Sequence, residues 1–251
     1  MILLFAAMLG GVLLSHLAPF PFLLDAASAD RVVWRMPARR APPAVYLTFD
    51  DGPNPTATPQ LLDALAAQQA RATFFLIDKH LTEDTAPLVR RMFDAGHGVA
   101  VHSDDRWLMT RSPADLARHL TAVADRVEAL TGVRPCRAFR PHAGARSRKM
   151  LQGLGLIDHQ LIGWGFMGWD WNWFNRPTPD ALLRRFVTRA SDGFIIIIHD
   201  GHHRDAKAPR QYAVDTTARL VPALREKGFE LRTICDDLDS VNPPRSAVFR
   251  P

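Results

Sequence analysis

Five short apolar runs in this 251-residue chain each end on a residue able to do chemistry. Tyr46-Leu47-Thr48-Phe49 runs into Asp50 and Asp51, followed by Gly52-Pro53, and Val99-Ala100-Val101 runs into His102. Arg137-Ala138-Phe139 precedes Arg140, and Gln160 to Trp164 leads into a Trp-rich stretch holding Asp170. Phe194 and four isoleucines then deliver His199 and Asp200. Runs this short, alternating with helical patterns, read as strands of a parallel sheet with crossover helices. A parallel α/β barrel gathers the carboxyl ends of its strands on one face, so residues distant in sequence share one cleft. The layout is that of an enzyme.

The intervening helices carry their own punctuation. Thr58-Pro59, Ser112-Pro113 and Thr178-Pro179 each set a hydroxyl N-cap before a proline at the first helical position. Leu116, Leu120, Val123 and Val127 form an apolar stripe at helical spacing. Gly132 and Gly228 stand where left-handed helix caps are wanted. A last strand is expected over Glu230 to Ile234 and a loose tail over 239–251.

Composition narrows the class. With 47% hydrophobic and 23% charged residues the chain has the make-up of a globular domain, which excludes a disordered one. The net charge of +5 is spread over scattered arginines, with no motif for nucleic acid behind it. Met1 to Leu24 carries no charged side chain, and Ala27-Ser28-Ala29 fits a secretory cleavage site. Residues 1–29 are therefore expected to be a signal peptide or N-terminal membrane anchor, 30–44 a linker and 45–238 the functional domain. Against a signal peptide stands the lack of any Lys or Arg before Arg31; Pro19 and Pro21 argue against a long undisturbed spanning helix. Membrane association through residues 1–24 and an exported or cell-envelope location follow as expectations. Cys136 and Cys235 lack zinc-ribbon or redox spacing and read by default as two buried thiols, with pairing as the alternative if the chain is exported.

Thr48-Phe49-Asp50-Asp51-Gly52-Pro53 is the sharpest string. Adjacent carboxylates at a strand end point different ways, so one can bind a metal while the other takes a proton from metal-bound water; the plainer reading is an Asp-Gly turn. With this string the chain resembles the polysaccharide deacetylases, carbohydrate esterase family 4, which share the NodB homology domain. Further matching pieces follow in the family's order: Ala72-Thr73-Phe74-Phe75, Gly96-His97, His102-Ser103, Phe139-Arg140-Pro141 with Gly144, Trp164 with Asp170-Trp171, and Ile198-His199-Asp200-Gly201.

The resemblance implies an irregular (β/α) barrel in a single domain and removal of N-acetyl groups from an amino-sugar glycan, of peptidoglycan or chitin-like type. It implies Asp50 as general base, Arg140 orienting it, His199 as general acid and Asp170 tuning His199. Asp51 and His102 become metal ligands for a divalent ion, zinc by expectation, with cobalt, nickel or manganese as alternatives. Trp164 and Trp171 would wall the acetyl pocket, and Pro141 and Ala143 would sit at the oxyanion side. A monomer is expected.

One position departs from the family. Its second motif ends in a metal-binding histidine, and here Arg106 stands in that place. A guanidinium has no lone pair to give. Three explanations stay open: Asp105 or Asp104 as third ligand, with Asp105 the choice carried forward; a histidine from elsewhere (His142, His202 or His203); or a weakened site, in a member that binds glycan through its aromatic cleft without turnover. Trp169, Trp173 and Phe174 add to that cleft.

Overall fold

The computed structural model describes residues 2–17, 19–21, 25, 30–38, 41–171 and 177–241. The expected cleavage site at 27–29, Trp173, Phe174 and most of the expected tail lie outside them. Helix α1 spans Ile2–Leu17, and the strands are β1 (Val32–Val33), β2 (Ala44–Gly52), β3 (Thr73–Ile77), β4 (Gly98–His102), β5 (Ala138–Arg140), β6 (Gln160–Ile162), β7 (Phe194–His199) and β8 (Glu230–Leu231). Between and after them run α2 (Thr58–Ala66), α3 (Ala86–Asp94), α4 (Pro113–Thr131), α5 (Arg148–Leu156), α6 (Pro179–Arg189), α7 (Gln211–Glu226) and α8 (Ile234–Val241).

Every strand pairing among the described residues is parallel, in the order β1-β6-β5-β4-β3-β2-β7 with β8 added to the start of β2. The sheet curls into an irregular barrel, since the chain leaving β6 bridges β7 through Phe166 and Ile196. Period-two alternation sorts its side chains. Val45, Leu47 and Phe49 of β2 pack outward against Leu61, Leu65 and Leu220 of the helices. Tyr46, Ala100, Ala138, Ile162 and Ile197 fill the interior. Counting forward by twos, the same inward face receives Asp50, His102, Arg140, Trp164 and His199 at the carboxyl ends.

Several local readings change. Ile234 opens α8 where a strand end was expected, because its backbone N–H is taken by Thr73 Oγ1 and its side chain, with Leu238, plugs the base of the barrel. The stretch expected as a linker contributes β1, paired with β6. Ser112 and Thr178 cap their helices as expected, but α2 has no side-chain cap. The Thr58 hydroxyl is drawn instead to the buried Asp200 carboxylate. Cys136 and Cys235 form a disulfide, Cα atoms 5.7 Å apart, which corrects the default reading of two thiols. The sheet brings β5 beside β4, and Cys235 on α8 reaches the same point beside Gly98 and Val99, a meeting no sequence spacing announced.

Candidate active site

The base of the cleft is built around one buried guanidinium. Arg140 Nη1 donates to Asp50 Oδ1 at 2.5 Å and to Thr48 Oγ1 at 2.8 Å. Its Nε and Nη2 donate to the carbonyls of Ile162 and Gly163, and the Phe75 ring lies 3.9 Å below the guanidinium carbon. Arg140 and Asp50 are both buried, so the pair offsets the cost of holding either charge out of water. One carboxylate oxygen is thereby fixed and the other faces the cleft.

Asp51 does not continue the alternation. Its φ of 70° and the register shift between Asp50 and Gly52 make a bulge, which turns both carboxylates to the same side. His102 Nε2 lies 3.3 Å from Asp51 Oδ1 and 3.9 Å from Asp50 Oδ2. His102 Nδ1 donates to the Arg140 carbonyl at 2.7 Å, which orients Nε2 toward the carboxylates. Burial opposes charge on both partners, yet attraction wins: the Asp50 charge and then Asp51 raise His102, and His102 holds Asp51 well below the usual carboxylate range.

His142 completes this cluster. Asp51, His102 and His142 each offer a ligand atom, all within 4.8 Å of one another. Asp51 Oδ1 and His142 Nδ1 are buried with no hydrogen-bond partner among the described residues, as donors kept for a cation would be. Burial, then the neighbouring His102, push His142 down to about 4, so its imidazole is neutral. The donor set therefore fits a divalent metal. Asp105 is not part of it: its Oδ1 accepts the Trp107 backbone N–H at 2.8 Å and caps a short turn. Asp104 pairs with Lys79 at 2.6 Å. Asp105 is held within its own loop and Asp104 by the turn after β3, and the third member of the cluster, His142, comes from the turn after β5.

Across the cleft, Asp170 is buried and takes the backbone N–H of His199 at 2.7 Å and its Nδ1–H at 3.0 Å. Tyr212, which the sequence reading missed, donates its hydroxyl to the same carboxylate at 3.2 Å. Burial alone would lower His199, but the Asp170 charge prevails and raises it to about 9. Trp164 is buried, while Trp169 and Trp171 are exposed with ring centroids 5.7 Å apart. These residues, Ala143, Arg106 and the metal-type cluster line one cleft of about 580 Å³. Pro141 is buried and opens the turn carrying His142 and Ala143, the latter at φ 52°.

A family profile described as "Polysaccharide deacetylase" matches residues 38–162. A chitooligosaccharide deacetylase of Sinorhizobium fredii is 34% identical over 206 residues, covering 76% of this chain and 90% of its own. The chain belongs to the polysaccharide deacetylase family. Within that family it is also 30% identical to the peptidoglycan-N-acetylmuramic acid deacetylase PdaC of Bacillus subtilis, over 81% of this chain and 40% of that longer one. The crystal structure of the Bc1960 peptidoglycan N-acetylglucosamine deacetylase shares the fold, with a TM-score of 0.72 at 24% identity over 88% of this chain and 96% of that one.

Proposed function

We propose that this family member hydrolyses the N-acetyl group of an acetylated amino sugar in a chitin-like or peptidoglycan-type glycan. Its relatives are deacetylases, and the chain is an enzyme of that kind. The single observation that carries the finer reading is that one cleft holds two prepared groups, Asp50 clamped by Arg140 and His199 clamped by Asp170, with the Asp51–His102–His142 cluster beside them.

Asp51, His102 and His142 would hold the divalent ion. Bound there, such an ion polarises the amide carbonyl and makes water more acidic. Two imidazoles and a carboxylate suit zinc, and tolerate cobalt, nickel or manganese. Asp50 accepts the proton of the attacking water, its position fixed by Arg140. The backbone N–H of Ala143 is the candidate donor to the developing oxyanion. His199, protonated near neutral pH, gives its proton to the departing amine as the C–N bond breaks. Trp164 and Trp171 flank the acetyl group and sugar.

The silent-binder alternative is disfavoured by the survival of both clamped groups. A disulfide suits an oxidising compartment, which supports an exported or envelope location for the 45–238 unit behind an N-terminal signal or anchor over 1–29. Acetate release from N-acetylchitooligosaccharides and peptidoglycan by metal-loaded protein tests the reading. Asp50→Asn is expected to abolish it with metal content unchanged; release that persists in Asp50→Asn, or no release from either substrate, overturns it.

A further inference from the structure

We propose that the cleft takes its acetylated amino sugar as the headgroup of a phosphate-linked lipid, with α1 set in the same membrane as the lipid tail. This rests on the deacetylase reading and adds the class of carrier.

The first observation is the composition and surroundings of α1. Leu4, Phe5, Ala6, Ala7, Met8 and Leu9 are all exposed in succession, so this part of the helix packs on nothing at any point of its circumference. A helix apolar on every side belongs in an apolar medium. Sixteen residues rise about 24 Å, short of the ~30 Å hydrocarbon core, and no described helix is long and apolar enough to cross a membrane. α1 suits insertion into one leaflet.

The second is where α1 is rooted. Leu17 and Pro19, at its end, line the mouth of the catalytic cleft. The root is bolted down by Arg146, which donates to both oxygens of Asp25 at 2.7 and 2.5 Å and to the Phe20 carbonyl at 3.0 Å. Arg146 is buried, and its Nη1 donates to Gly144 in the turn that carries His142 and Ala143. Arg146 thus joins residues that follow α1 to the turn that carries His142 and Ala143.

The third is the chemistry of the mouth. Leu17, Pro19, Trp169 and Trp171 make it apolar, and Arg106 and Arg204 make it cationic. Neither arginine has an ion-pair partner among the described residues, while the carboxylates lining the cleft, Asp50 and Asp51, are buried. A neutral chitin-like chain offers two unpartnered guanidiniums hydroxyl and amide oxygens but no anion. A sugar phosphate does, and guanidinium–phosphate pairing is strong and directional. A prenyl-type tail beyond the phosphate would meet the apolar residues and α1. Arg106, which excludes the family's usual histidine, acquires a purpose here.

The test uses full-length, metal-loaded protein with three substrates: N-acetylglucosaminyl-phosphoryl-polyprenol in phosphatidylcholine vesicles, soluble N-acetylglucosamine 1-phosphate, and N-acetylchitotetraose. The lipid-linked substrate is expected to have a kcat/KM at least about tenfold above both others, over chitotetraose through charge-assisted contacts to its phosphate and over the soluble sugar phosphate through burial of its tail beside α1. The Arg106→Gln/Arg204→Gln protein should lose about tenfold more on both phosphate-bearing substrates than on chitotetraose. Phe5→Glu/Met8→Glu should abolish co-sedimentation with vesicles and lower turnover of the lipid-linked substrate alone. Acetate released from chitotetraose at a rate equal to or above the lipid-linked one overturns this proposal and leaves the deacetylase reading standing, as does cleavage after Ala29 in the native membrane fraction. Preference for the soluble sugar phosphate over the lipid-linked form also overturns it. No acetate from any of the three removes the deacetylase reading and this proposal with it.

Discussion

Asp170 holds His199 at two points, accepting its backbone N–H at 2.7 Å and its imidazole Nδ1–H at 3.0 Å. The first contact fixes the end of β7 and the second fixes the ring with Nε2 free toward the cleft. The same charge raises His199 to about 9 against the pull of burial. In its proposed role as general acid His199 must be protonated, so activity should fall as pH rises through about 9. Asp170→Asn removes the charge, and the alkaline limb of the kcat/KM profile should move down toward or below the ordinary histidine value of about 6.5. The stability linkage has the matching sign. A pKa raised in the folded state stabilises fully below about 6.5 and fades as pH climbs through about 9, a slope that Asp170→Asn should flatten in denaturant titrations.

The metal cluster gives a prediction with a built-in rescue. His142→Ala removes one of three donors, and metal affinity should fall by more than the roughly 10–100-fold typical of losing a partner behind a ligand. Arg106→His, introduced into that variant, restores a histidine where the family usually has one and should recover much of the bound metal. Competition against a chromogenic chelator reads both. Metal affinity unchanged in His142→Ala would remove this residue from the cluster.

Arg140 answers four acceptors at once, and among the described residues Asp50 has no other cation so close. Arg140→Met leaves a carboxylate buried without its partner, which should cost about 3–5 kcal/mol in chemical denaturation. Adding Asp50→Leu removes the stranded charge and should return most of that stability while activity stays absent. Arg140→Lys keeps the charge but not the fork, so it should lose most turnover while unfolding closer to wild type.

The ordered motifs made the barrel and its paired groups legible, because strand alternation carries parity straight from sequence to cleft. Asp50, His102, Arg140 and His199 were reachable by counting in twos from residues that had to be buried. What stayed hidden was whatever depended on contact between distant loops. Asp105 looked like a ligand from its nearness to Arg106, yet its carboxylate is spent on the N–H of Trp107. His142 was one of several open histidines until the turn after β5 set it beside His102. Thr58 had every local mark of a helix cap and serves Asp200 instead. The bulge at Asp51 left no trace beyond the Asp-Gly dipeptide that permits it.

The disulfide offers a final prediction about the base of the barrel. Cys136 precedes β5 and Cys235 lies on α8, ninety-nine residues later. Ile234 and Leu238 of that helix plug the interior, and Asp237 accepts the Tyr46 hydroxyl at 2.7 Å. Closing so long a loop removes conformations from the unfolded chain, worth about 4–5 kcal/mol in the chain-entropy account. Cys136→Ala/Cys235→Ala should therefore lower the unfolding free energy by up to about that amount. Reductant should destabilise the wild type and leave the double variant unchanged. The cleft lies at the opposite end of the strands, so turnover at temperatures where the variant stays folded should be nearly that of the parent. A large loss of turnover in folded variant would mean that the plug also sets the geometry of Asp50 and His102.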